Sequence, residues 1–171
     1  MSKENILPGN GNDMLLIKTI GSVLVDRGMT VSLAESCTGG LVMKCLSDVP
    51  GSSRYLAGGV VAYSNDLKTN MLGVPREIIQ RHGAVSEQTA RLMAEGVKNA
   101  TGTSLGIGIT GIAGPGGGTP EKPRGLVYIA LAATGQTVCQ RCVFSGDRNN
   151  VRDQAAKTAL YMLWQYVSGL S

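Results

Sequence analysis

The residues best suited to chemistry fall in three short clusters: Ala34-Glu35-Ser36-Cys37-Thr38-Gly39-Gly40, Tyr63-Ser64-Asn65-Asp66-Leu67-Lys68, and Thr110 followed by Gly111-Ile112-Ala113-Gly114-Pro115-Gly116-Gly117-Gly118. Ser36 follows an apolar run from Thr30 to Leu33 and precedes Leu41-Val42-Met43-Lys44-Cys45-Leu46, whose apolar spacing is helical. This predicts a strand-to-helix turn with a hydroxyl at the strand's carboxyl end, where a serine can be a nucleophile, a phosphate ligand or a plain helix N-cap. The local pattern alone favours the cap. A serine nucleophile needs a base, and the one histidine, His82, stands before Gly83 at a predicted helix end, which suits a C-terminal role better than a triad. A lysine can serve instead if burial lowers its pKa, and Lys68 is the best placed, although a solvated helix lysine is its plainer reading. Tyr63 could hydrogen-bond either partner or simply be a strand-end aromatic.

The other candidates are weaker. The glycine-rich stretch after Thr110 lacks the Gly-Lys-Ser/Thr of a P-loop and fits either an anion nest or a flexible connection. Asp147-Arg148, with Arg152, could clamp a phosphate or carboxylate, while Asp147 is equally an N-cap. Cys139 and Cys142 are three apart on a predicted strand and point to opposite faces, which speaks against a disulfide or shared metal. One histidine and no second cysteine pair give a zinc site almost no support.

The elements that must position these residues follow from periodicity. A polar tail over residues 1–13 leads to a helix ending at Arg27-Gly28, a strand over Thr30 to Ala34, and a helix to about Asp48. A second strand spans Tyr55 to Tyr63, with a short helix through Leu72, another over Arg76 to Arg81, and a long amphipathic one from Ser86 to Asn99. A third strand runs from Ser104 to Thr110. A hairpin over Gly125 to Ala133 and Gln136 to Phe144 and a final helix from Val151 to Val167 complete the chain. The pattern predicts a single domain over residues 14–171, a three-layer α/β/α sandwich around a mixed, mostly parallel sheet of about five strands. If the first three strands are parallel neighbours, the three clusters meet at one edge of the sheet.

Composition bounds the partners. The 171 residues suffice for a full core, and the apolar runs break well before the ~20 residues of a membrane span. Four cysteines without a basic-then-apolar leader lead us to expect a cytoplasmic protein with no membrane partner. The net charge is +4, but Lys and Arg are scattered and only one Phe and one Trp are present, so a small anionic ligand is expected rather than nucleic acid.

Taken together, the three clusters, Pro50-Gly51-Ser52-Ser53, Gly83-Ala84-Val85-Ser86 and Gly146-Asp147-Arg148 resemble the C-terminal domain of the competence and damage-inducible protein CinA, over about Met14 to Val167. Stand-alone bacterial members of that family are nicotinamide-nucleotide amidohydrolases. Larger CinA proteins carry a further N-terminal domain resembling molybdopterin-binding proteins, which is not expected here. The resemblance implies hydrolysis of the carboxamide of nicotinamide mononucleotide to nicotinate mononucleotide and ammonia, by a serine–lysine mechanism with no metal and no cofactor, in a homodimer. By position, Ser36 would be the nucleophile, Lys68 its base and Tyr63 a positioning or relay hydroxyl. Backbone N–H groups from Cys37 through Thr38 and Gly39 to Gly40 would hold the oxyanion. Asn65, Thr110, Gly111 and Gly114 would line the nucleotide pocket, and Arg148 would meet the phosphate. Two other classes stay open: a catalytically silent nucleotide-binding or regulatory module linked to competence or the DNA damage response, and a nucleotide phosphohydrolase. The latter would need a divalent metal, and the sequence has no acidic cluster near the site.

Overall fold

A computed structural model describes residues 12–169. The elements are α1 (Asn12–Asp26), β1 (Val31–Glu35), α2 (Leu41–Ser47), β2 (Leu56–Val61), α3 (Asn65–Leu72), α4 (Arg76–His82), α5 (Glu87–Thr101), β3 (Leu105–Gly111), β4 (Leu126–Ala133), β5 (Gln136–Val143) and α6 (Arg148–Ser168), with a 3-10 turn at Ser52–Arg54. The expected polar tail lies outside the described residues up to residue 11, and α1 already begins at Asn12.

The five strands form one sheet in the order β2-β1-β3-β4-β5. β1 pairs parallel with both β2 and β3, and β4 runs antiparallel to β3 and to β5, so four of the five strands point the same way. All five residues of β1 are buried, as expected of a strand covered on both faces. Period-two alternation divides the sheet into unlike faces. Val31, Leu33, Ile107, Ile109, Val127, Ile129 and Leu131 pack with Ile20 and Leu24 of α1, Leu46 of α2 and Leu163 of α6. The opposite face is small: Ala130 and Ala132 meet Ala90 and Ala94 of α5. A Cβ added to Gly106 or Gly108 would lie 2.1 or 2.3 Å from the carbonyl oxygens of Ala94 and Ala90, so α5 rests on the backbone of β3 itself. α3 and α4 flank α5, which completes the second helical layer.

Two local readings need correction. α6 starts at Arg148 rather than Val151, because the Asp147 carboxylate accepts from the Asn150 N–H and the Asn150 side chain returns the bond, a capping box formed without the usual Glu. Ser36 is not the cap of α2. Gly40 occupies that position in a left-handed conformation, without a side-chain cap.

Candidate active site

Glu35, the last residue of β1, does the capping that Ser36 does not. Its carboxylate is 1% exposed and accepts from the N–H groups of Gly40 (2.9 Å), Val42 (3.3 Å) and Met43 (2.8 Å). A buried anion at the first turn of α2 satisfies donors that the helix cannot pair itself. The Ser36 N–H continues the sheet onto the carbonyl of Ile109 at 3.0 Å, and the Gly39 N–H closes a turn onto the carbonyl of Ser36. The Ser36 hydroxyl is thereby held at the carboxyl edge with no capping duty.

Lys68 lies in α3, whose start is fixed by Ser64 accepting from the Leu67 N–H. Its side chain is 2% exposed, and Nζ donates to Ser36 Oγ (3.3 Å), to the carbonyl of Ala62 (2.8 Å) and to the carbonyl of Tyr63 (3.3 Å). Among the described residues no carboxylate forms an ion pair with it. Burial without a counter-charge penalises the ammonium, and the Lys68 pKa falls below the ordinary lysine value. Burial acts in the opposite sense on the neighbouring thiol, pushing Cys37 up to about 11 and keeping it a neutral SH.

The Tyr63 hydroxyl is paired with neither Ser36 nor Lys68. The side chain is 57% exposed and its oxygen accepts from Arg148 Nη2 at 2.7 Å. The chain has left β2 at Val61, so Ala62 turns into the core under α5 while Tyr63 turns outward; only the Tyr63 carbonyl serves Lys68. Arg148, at the first turn of α6, also donates through Nη1 to the carbonyl of Gly114 at 2.7 Å. One turn later Arg152 donates to the carbonyl of Thr38 at 3.0 Å.

These groups surround an open cleft of about 260 Å³ at the carboxyl ends of the parallel strands. Of the residues singled out in the sequence, Ser36, Cys37, Tyr63, Asn65, Lys68, Thr110, Gly111, Gly114 and Arg148 line it. Thr110 does so with its hydroxyl committed to the carbonyl of Ala84 at 2.8 Å. Thr38, Gly39 and Gly40 are not on its wall. The Gly39 and Gly40 N–H groups are consumed by the carbonyl of Ser36 and by Glu35, which removes both as oxyanion donors. Among the described residues the N–H groups of Cys37 and Thr38 have no oxygen acceptor and the buried Thr38 hydroxyl has no partner. A smaller apolar cavity of about 90 Å³ lies between α1, α2 and α6, apart from this chemistry. Among the described residues no three His, Cys, Asp or Glu side chains are grouped to hold a metal ion, and no helix is long and apolar enough to cross a membrane.

Sequence reasoning assigned nothing to Glu35, Ala84 or Val85, although the last two line the cleft. The position of Glu35 directly before the serine was the available signal. Residues 84–85 stood only within the Gly83–Ser86 segment of the resemblance, with no role attached, and the hydroxyl of Thr110 bonds this segment at the carbonyl of Ala84.

Fold and site together define a class: three-layer α/β/α proteins with a serine–lysine cleft at the carboxyl edge of a mixed sheet. The family model described as CinA C-terminal domain matches residues 14–167, and the chain belongs to this family. A putative competence-damage inducible protein of Desulforudis audaxviator is 56% identical over 151 residues, covering 88% of this chain and 37% of that protein. One from Moorella thermoacetica is 49% identical over 154 residues, 90% of this chain and again 37% of the relative. The chain thus spans little more than a third of the length of these relatives. Among solved structures, the competence/damage inducible protein CihA of Agrobacterium tumefaciens superposes with a TM-score of 0.89 at 39% identity, covering 95% of this chain and 99% of that one. A CinA superfamily protein of Escherichia coli gives 0.88 at 29% identity, with 97% and 99% covered.

Proposed function

We propose that this chain is an amidohydrolase acting on the carboxamide of nicotinamide mononucleotide, with Ser36 as nucleophile and Lys68 as its base. The observation that carries this reading is the buried lysine without a carboxylate partner, bonded to a serine hydroxyl in an open cleft. A neutral amine has two N–H donors and one lone pair, and Lys68 is offered two carbonyls and one hydroxyl. In the neutral state the carbonyls of Ala62 and Tyr63 therefore take its protons, leaving the lone pair for the proton of Ser36.

Attack of Ser36 Oγ on the carboxamide carbon moves that proton to Lys68 Nζ and forms a tetrahedral oxyanion. The N–H group of Cys37, on the cleft wall and without an oxygen acceptor among the described residues, is the donor available to it, worth roughly 3–4 kcal/mol in acyl transfer. Collapse breaks the C–N bond, Lys68 returns its proton to the leaving nitrogen, and ammonia departs. Water then attacks the Ser36 ester with Lys68 again as base, releasing the carboxylic acid and restoring the serine. The cleft wall holds Lys68 and Arg148 and no carboxylate, which suits a phosphate-bearing substrate.

The test is ammonia release from nicotinamide mononucleotide in EDTA by the parent, Ser36→Ala and Lys68→Met. We expect activity in the parent and losses of about 10³-fold or more and about 10²–10⁴-fold in the variants. A folded parent that releases no ammonia would favour a nucleotide-binding module.

A further inference from the structure

Residues 113–124, in the long loop between β3 and β4, cover one side of the cleft, yet few of their hydrogen bonds reach the rest of the fold. The bonds between Thr119 and Lys122 are internal, and Pro123 accepts only from Leu126 at the loop's own end. Two cations make the remaining attachments. Arg148 grips the carbonyl of Gly114, and Lys122 Nζ donates to the carbonyls of His82 (2.6 Å) and Val85 (2.8 Å).

The segment that Lys122 grips is the opposite wall. His82 ends α4, so the ammonium sits where the helix dipole favours positive charge. Gly83 follows with φ +86°, a left-handed turn that favours glycine, and its Cα faces the Lys122 ammonium, with a built Cβ 2.6 Å from Nζ. Every carbonyl from residue 82 to 85 is engaged: two by Lys122, that of Gly83 by the Ser86 and Thr89 hydroxyls, and that of Ala84 by Thr110. With its carbonyls turned away, the connection keeps the N–H groups of Ala84 and Val85 without an acceptor among the described residues, at the cleft.

We infer that Lys122, which does not line the cleft, is a positioning residue that staples the β3–β4 loop to the α4–α5 connection and so sets the spacing of the two walls that receive the substrate. Arg148 fixes the loop at Gly114 from inside the cleft, and Lys122 fixes it from outside. Loss of the outer staple frees two carbonyls and lets the loop swing on Gly114, weakening substrate capture while the Ser36–Lys68 pair, held by β1 and α3, stays intact.

The kinetic part of the test rests on the amidohydrolase reading; hydrogen exchange does not. In Lys122→Met we expect exchange of the hydrogen-bonded amides of residues 83, 119 and 122 to quicken roughly tenfold or more, with β1 and β3 unchanged. KM should rise roughly tenfold with kcat within about threefold, and Lys122→Arg should restore most of both. Unchanged exchange with unchanged KM would overturn the inference, as would exchange quickening equally in β1 and β3, the mark of general destabilisation. If the parent releases no ammonia, the amidohydrolase reading fails and the local exchange pattern alone decides the role of Lys122.

Discussion

The two ends of β1 and β3 carry the same kinds of residue and use them in opposite ways. At the amino end the hydroxyls close on one another: Ser32 with Thr103 at 2.8 Å, Thr103 with Thr101 at 3.1 Å and with the carbonyl of Leu105 at 2.9 Å. Thr30 and Ser104 exchange backbone N–H and hydroxyl bonds across the same strand pair. At the carboxyl end Ser36 is met by a lysine amine, the Thr38 hydroxyl has no partner, and two backbone N–H groups lack an oxygen acceptor. A buried hydroxyl thus marks a site only when its surroundings leave it unsatisfied or give it a partner whose charge can change. The amino end closes its hydroxyls on the fold itself, while at the carboxyl end the Ser36 hydroxyl lines the cleft beside a buried amine.

The sharpest way to break this contrast is Lys68→Met. The contrast requires activity to fall by about 10²–10⁴-fold while the melting temperature holds or rises, since a buried amine without an ion-pair partner is removed. A large drop in melting temperature would instead make Lys68 structural. The pH dependence sharpens the same point. The base form of Lys68 is required, so kcat/KM should climb about tenfold per pH unit and level off at a pKa below the ordinary lysine value. Between that lowered pKa and the ordinary 10.5 the unfolded chain holds more protons than the folded one, so stability should rise with pH there. Lys68→Met should abolish both the limb and the rise.

A smaller effect is expected at the closed end. Thr103→Val strands the hydroxyl of Ser32, while that of Thr101 keeps its bond to the carbonyl of Val97, and should cost about 1–2 kcal/mol in denaturant unfolding, with kcat and KM unchanged. A loss of activity without a loss of stability would erase the distinction between the ends. The smallest effect belongs to Thr38→Val, which removes a hydroxyl already without a partner and should change stability by no more than about 0.5 kcal/mol. A cost above ~1 kcal/mol would mean that this hydroxyl holds a buried water.

Much of the fold was legible because it rests on local signals. Gly73 ends α3 in the left-handed conformation, Ser64 and Ser86 begin α3 and α5, and the alternation of β3 requires no knowledge of the partner strand. The meeting of Ser36 with Lys68 was readable too, because both follow strands whose carboxyl ends coincide once β1 and β2 are parallel neighbours. Missed boundaries had local causes, as at α6, where the capping partner is Asn150 rather than an acidic residue.

The sequence by itself determined the order and type of the elements, the edge of the sheet where the polar clusters collect, and the candidate nucleophile and base. Tertiary structure alone decided which partner each group takes: Glu35 rather than Ser36 on the first turn of α2, Arg148 rather than Lys68 on the Tyr63 hydroxyl, and Lys122 on the carbonyls of His82 and Val85. The reason is physical. Periodicity and caps act within a turn or a pleat, whereas the last two pairings join residues 85 and 37–40 positions apart, and their geometry exists only after the sheet order has brought the loops together.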